Sequence, residues 1–340
     1  MLSRHFLRAK VLQTIYAGVS SETADTATLE NMLDYNINRL NDLGVMLLST
    51  LPQLVWTEER VLEAAQQKFM PTDEERNASK KLVENQFVSQ LESGFEYRKY
   101  VERMHIDWSN HYDLFRKLLT TIKESKQYKD YMGSETRSFE EDKDFALSMF
   151  RFMVNDNTLR EVIYDHDLLW EDDFDQIAQY VFMLLKELGE DDLNEATPCV
   201  LVYDRRNEKE QTDVAFARQL LVDTYNHLED TEALIRKHLQ NWDMERVAMM
   251  DILLINMAVA EFTCCPSIPE RVTVDEYIEL SKEFSTDKSK LFINGILDKI
   301  LIELRVAGRV VKDERGQYDP TSSDERPIDN ESGVYSTSIE

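Results

Sequence analysis

The chain has 340 residues, a net charge of −26, 9 glycines and 7 prolines. Glycine averages about 7% of residues in globular proteins, so tight turns and sheet corners are scarce here and an all-α fold is expected. The charge excludes general nucleic-acid affinity, because phosphates are bound through Lys and Arg that displace counterions; any RNA site must be local.

The distribution of charge permits such a site. Residues 1–20 contain Arg4, Arg8 and Lys10 and no acid, whereas residues 135–195 contain 18 acids against 5 bases. Cys199 and the adjacent Cys264 and Cys265 form no disulfide framework, since vicinal cysteines bridge only with strain. That points to a reducing compartment. No signal-peptide pattern opens the chain and no apolar run approaches the roughly 18 residues of a bilayer span; a cytoplasmic protein without membrane contact is expected.

The first predicted helix is "SRHFLRAKVLQTIYAGVS", with apolar residues 7, 11, 12 and 15 at helical spacing. Ser3 is placed to cap its start and Gly18 to stop it. Arg4 and Arg8 lie one turn apart, so the first turns are expected to project basic side chains beyond the bundle. From 28 to about 131 come heptad-like stretches suited to helix-on-helix packing, broken by "PTDE" at 71–74 and "GSETRS" at 133–138. Segments 144–178 and 215–248 share a Phe-Ala start, a central apolar pair and a Trp followed by acids, as a degenerate helical repeat would.

The stretch 242–301 reads as three helices with two breaks. Met249 to Phe262 is apolar on every side, which predicts a central buried helix ended by "PSIP". Thr273 is expected to start the next helix, whose apolar face is Tyr277, Ile278, Leu280 and Phe284. After "STDKSK" a last helix begins near Phe292. Gly295 in its first turns is expected to allow close approach by the central helix, with Asn294 as the polar group at its start; the alternative is an incidental glycine costing about 1 kcal/mol of helix propensity. Residues 313–340 carry 8 acids against 2 bases and are expected to form a disordered tail.

Catalytic signatures are missing: no phosphate loop, His-Glu-x-x-His, Cys-x-x-Cys or nucleophile elbow occurs. Trp170 stands where an acidic calcium loop opening at Asp165 would need Gly. His105, Asp107, His111 and Asp113 do not share one helical face. No enzyme activity, cofactor or metal is expected.

Trp242, Glu245, Arg246, the apolar helix ending Ala260-Glu261-Phe262, Ile268-Pro269, "VTVDEYIELSKEF" and "LFINGILDKI" together resemble the C-terminal half of the NusB family, and "RHFLRAKVLQTIYA" resembles its first helix. The resemblance covers residues 4–17 and about 214–304. It implies a NusB-like bundle made of the first helix (1–19) and a C-terminal part (213–312), separated by a helical insertion (20–212) and followed by the tail (313–340).

The resemblance also implies a bacterial transcription antitermination factor. Such proteins bind boxA single-stranded RNA together with the ribosomal protein NusE and act on the elongating RNA polymerase of ribosomal RNA operons. Carried over by position, RNA contacts fall on Arg4, His5, Arg8, Lys10, Trp242, Glu245, Lys288, Lys290 and Phe292, and NusE contacts on Tyr16 and Asp251. Phe6 and Leu7 stand where the family is often basic, Asn256 where it usually has Arg, and Ala260 where an aromatic is common. Phe292 and Tyr16 also read as core residues, and Arg4 and Arg8 as a basic terminus. The alternative function is a helical adaptor that docks basic ribosomal or polymerase partners without binding RNA. A NusB-like domain also precedes certain ribosomal RNA cytosine methyltransferases, but no S-adenosylmethionine-binding loop or catalytic Pro-Cys follows here.

Overall fold

The computed structural model describes residues 3–21, 25–190, 192, 208–239 and 247–317. These contain fifteen α-helices and no strand. The chain divides into two units, Met1–Arg218 and Gln219–Glu340.

The first unit opens with α1 (Arg4–Ser21) and the 41-residue α2 (Thr26–Gln66). It continues through α3 (Asp73–Arg76), α4 (Gln86–Ser93), α5 (Phe95–Met104), α6 (Tyr112–Glu124), α7 (Lys126–Gly133), α8 (Phe139–Val154), α9 (Asn157–His166) and α10 (Phe174–Glu187). It closes with most of α11 (Glu208–Asn226).

Asp25 starts α2 by accepting a hydrogen bond from the Thr28 N–H at 2.7 Å. Leu29, Leu33, Ile37, Leu40, Leu43, Leu47, Leu51 and Leu54 then recur at three- and four-residue steps and are all buried. This makes α2 the axis of the unit, against which α1, α4, α5, α6, α8 and α10 pack. Two polar groups enclosed in the unit are paired across helices: Trp108 Nε1 donates to Ser49 Oγ at 2.8 Å. Likewise Lys81 Nζ, fully buried, donates to the carbonyls of Tyr131 and Ser134 and to Glu141.

Three expectations for α1 meet this geometry. Ser3 Oγ does accept from the Phe6 N–H. Gly18, however, does not stop the helix, which runs on to Ser21. A Cβ there would stand 2.6 Å from Leu29 Cδ2, so Gly18 lets α2 approach closely. Nor do the first turns project: residues 6–10 are all buried, because the helix is enclosed by α2 and by partners much later in the chain.

The second unit contains the end of α11, then α12 (Leu228–His238), α13 (Met249–Cys264), α14 (Glu270–Phe284) and α15 (Ser289–Val306). As its composition predicts, α13 is central and packs against α12, α14 and α15. Glu261, fully buried on α13, accepts from Thr273 Oγ1 at 2.9 Å and from the Tyr277 hydroxyl at 3.1 Å. Thr273 is therefore inside α14 and not at its start. The helix begins three residues earlier because Pro269, with φ −60°, supplies the first accepting carbonyl. Of the apolar face expected for α14, Tyr277 and Leu280 are buried, whereas Ile278 and Phe284 are half-buried.

Cys264 and Cys265 are free thiols with their sulfurs 3.5 Å apart. Residues 313–317, assigned to the tail by composition, fold back on the α13–α14 connection: Asp313 accepts from Ser267 Oγ and donates its N–H to the Pro266 carbonyl. Residues 318–340, Cys199, Trp242, Glu245 and Arg246 lie outside the described residues.

Gly295 overturns the close-approach expectation. It is exposed, and a Cβ added to it would meet nothing within 4 Å. Asn294 is the sixth residue of α15 and caps nothing; Lys288 occupies the N-cap position, without a side-chain hydrogen bond.

Candidate nucleic-acid and partner interface

In the first unit the basic residues of α1 face acids and an aromatic of the same unit. Arg4 Nε donates to Asp213 Oδ1 at 2.8 Å, with 39% of the Arg4 side chain exposed. The guanidinium groups of Arg4 and Arg8 both lie over the Phe216 ring, 5.1 and 5.2 Å from its centroid. Arg8 is buried and His5 half-buried.

Lys10 is buried as well. Its Nζ donates to Asp173 Oδ2 at 2.6 Å and to Gln13 Oε1 at 3.1 Å. Burial pushes the Asp173 carboxyl above its ordinary value, against the opposing pull of Lys10. The projecting basic start predicted from the sequence is corrected: its charges are largely balanced inside the unit. Tyr16, by contrast, is 43% exposed.

In the second unit the predicted residues that are described, Asp251, Lys288, Lys290 and Phe292, lie at or against one turn. Asp251, in the first turn of α13, is buried and not offered to a partner. Its carboxylate accepts from Ser285 Oγ at 2.6 Å and Ser289 Oγ at 2.9 Å, and Ser289 Oγ lies 2.8 Å from Thr286 Oγ1. This hydroxyl cluster fixes the turn between α14 and α15. Lys288 and Lys290, carried on and beside that turn, are exposed, and Phe292, one turn into α15, is half-buried.

Lys288 and Phe292, four residues apart, lie on one side of the start of α15, whereas Lys290, two residues from Phe292, points to another side of the helix. Reading the sequence missed Ser285, Thr286 and Ser289, although the hydroxyl-rich "STDKS" was the available signal. It also missed Asp173, Asp213 and Phe216, for which nothing local could have served. No group of three or more His, Cys, Asp or Glu among the described residues is arranged to hold a metal. None of the described helices is long and apolar enough to cross a membrane.

Comparison with known proteins agrees with this geometry. The profile of the NusB family matches residues 174–301, from the start of α10 into α15. A transcription antitermination protein NusB of Myxococcus xanthus is 31% identical over 101 residues, 30% of this chain and 72% of the relative. The chain belongs to the NusB family. NusB of Salinibacter ruber is 40% identical over 101 residues, and NusB of Chloroherpeton thalassium 35% over 111. The chain spans 63% and 53% of the length of these two, which in turn match 30% and 33% of it. It is an enlarged member of the NusB family. No solved structure matches it.

Proposed function

We propose that this NusB-family chain is an antitermination factor, not an enzyme, which binds boxA-type single-stranded RNA together with NusE and acts on RNA polymerase in ribosomal RNA operons. The observation that carries the reading is the turn braced by Asp251, which sets exposed Lys288 one helical turn from Phe292, with Lys290 also exposed at the start of α15. Two cations suit phosphates and an aromatic suits a splayed base, stacking being worth about 1–3 kcal/mol per base. Arg4 and His5 are further candidates for RNA contact in the first unit. Arg8 and Lys10 act there as internal supports. For NusE, exposed Tyr16 is the proposed contact, and Asp251 contributes by positioning the turn. The helices between α1 and the matched stretch beginning at Phe174 are the added platform.

Titration of labelled boxA RNA with the full chain, with and without NusE and at two salt concentrations, tests this. Binding that NusE enhances, salt weakens and Lys288→Ala, Lys290→Ala or Phe292→Ala reduces is expected. A second reading, an adaptor without RNA affinity, is favoured by the pairing of Arg4 with Asp213 and Lys10 with Asp173. Capture of NusE with no RNA binding under any condition would select it.

A further inference from the structure

Two thiols close α13. Cys264 is the last residue of the helix and half-buried, and Cys265, at its C-cap, is 8% exposed. Their sulfurs lie 3.5 Å apart, and the Cys264 thiol is also hydrogen-bonded to the half-buried Asp223 carboxylate of α11, in the same unit. The hydrogen bond with Cys265, then burial, push the Cys264 thiol well above its ordinary value. Cys264 is therefore held as a neutral thiol at neutral pH, a poor target for reagents that need a thiolate. On the other side of the pair, Lys312 Nζ donates to the Cys265 carbonyl at 2.9 Å.

Adjacent Cα atoms are about 3.8 Å apart, closer than the roughly 4.4 Å at which ordinary disulfides begin, so direct oxidation of the pair would strain the end of the helix. A single atom placed between the sulfurs removes that demand. Bonded to both at about 2.3 Å, the length of a zinc–thiolate bond, it would subtend about 100° at their 3.5 Å separation. That angle suits a pyramidal centre with three bonds. No group of three or more His, Cys, Asp or Glu among the described residues is arranged as a metal site, so the ligand must be satisfied by two thiols and bring its own third substituent.

We propose that Cys264 and Cys265 form a chelating site for a mono-organic trivalent arsenical, R–As(OH)2. Two As–O bonds break and two As–S bonds form; each thiol proton leaves with a hydroxyl as water. Arsenic stays trivalent, so no oxidant or reductant enters. Neutral thiols suit this exchange, because each supplies the proton that its leaving hydroxyl needs. Asp223 is placed to carry the Cys264 proton from sulfur to oxygen. Cys264, the more exposed of the two, reacts first, and closure on Cys265 follows as an intramolecular step.

Phenylarsine oxide, which hydrates to such a dihydroxide, is the probe, and intact-mass spectrometry of the reduced full chain, treated under native conditions, is the readout. One adduct per chain is expected, unchanged by Cys199→Ser, lost in Cys264→Ser and in Cys265→Ser, and removed by the dithiol dimercaptopropanol but not by an equal concentration of glutathione thiol. Asp223→Asn slows its formation and leaves the final occupancy as it was. Far-ultraviolet circular dichroism checks the serine variants; should buried Cys265→Ser not fold, half-buried Cys264→Ser decides. A native chain that stays unmodified while the urea-unfolded chain takes the adduct would overturn the proposal, since the folded thiols would then be closed to the ligand. So would an adduct that survives Cys264→Ser, or one that glutathione strips as readily as the dithiol does.

Discussion

Asp251 Oδ2 accepts a hydrogen bond from Ser289 Oγ at 2.9 Å, joining the first turn of α13 to the first residue of α15 across 38 positions of sequence. Since Ser285 binds the other oxygen, the carboxylate holds both ends of the turn that carries Lys288. Hydrogen bonds to a charged group contribute about 1.5–3 kcal/mol each. Asp251→Ala should destabilise the protein by about 2–4 kcal/mol in urea unfolding and weaken RNA binding without removing a cation. An unchanged unfolding midpoint would show that the carboxylate braces nothing.

The pair Lys10–Asp173 is nearly dry, with side chains 6% and 7% exposed. Removing one partner strands a charge, at a typical cost of about 3–5 kcal/mol, whereas replacing both with apolar residues is often neutral. Lys10→Met is expected to be strongly destabilising and Lys10→Met/Asp173→Leu substantially less so, read by chemical denaturation. If the double variant is no better than the single one, the cost lies in packing.

Two glycines should respond with opposite sign. Gly18→Val forces Leu29 aside in a filled space, and overpacking costs about 1–3 kcal/mol. Gly295→Ala enters open space on an exposed helix face and should stabilise by up to about 1 kcal/mol through helix propensity. Thermal melts of the two variants would settle the contrast.

Glu303 of α15 accepts from Lys237 Nζ at 2.7 Å and pairs with His238 Nε2 at 2.8 Å, both on α12. Lys237, then His238, hold its carboxyl below the usual range. A carboxyl lowered by folding stabilises above its unfolded value, near pH 4.3, and that contribution is lost as pH falls through the folded value. Glu303→Gln should therefore be less stable than the parent at pH 7, with a smaller difference at pH 3. Unfolding curves at the two pH values measure it; a gap undiminished in acid would assign the effect to shape instead of charge.

The sequence revealed α13 because a helix enclosed by three others must be apolar all round. It disclosed "LFINGILDKI" as a helix for the same reason that it disclosed the family: many positions agree in register. It could not say which way a glycine faces. Gly18 looked like a stop and is a point of contact, while Gly295 looked like a point of contact and faces water. Charge was misread similarly. Lys10 and Arg4 find their acids 163 and 209 residues away, so nothing near them in the chain shows that they are neutralised. Asp251, an acid opening an apolar helix, suggested a surface group because its hydroxyl partners follow more than thirty residues later.

The buried carboxylate of Glu261 acts as a key between two helices. Thr273 and Tyr277, four residues apart on α14, both donate to it. Sliding α14 by a single residue would shift these hydroxyls about 1.5 Å along the axis and turn them about 100° away, depriving the buried carboxylate of both. Many neighbouring registers would bury similar hydrocarbon; only one supplies the charge with both hydroxyls. The helical hairpin is thereby confined to one alignment, and the positions of the α14–α15 turn and its lysines are set by a group that never reaches the surface.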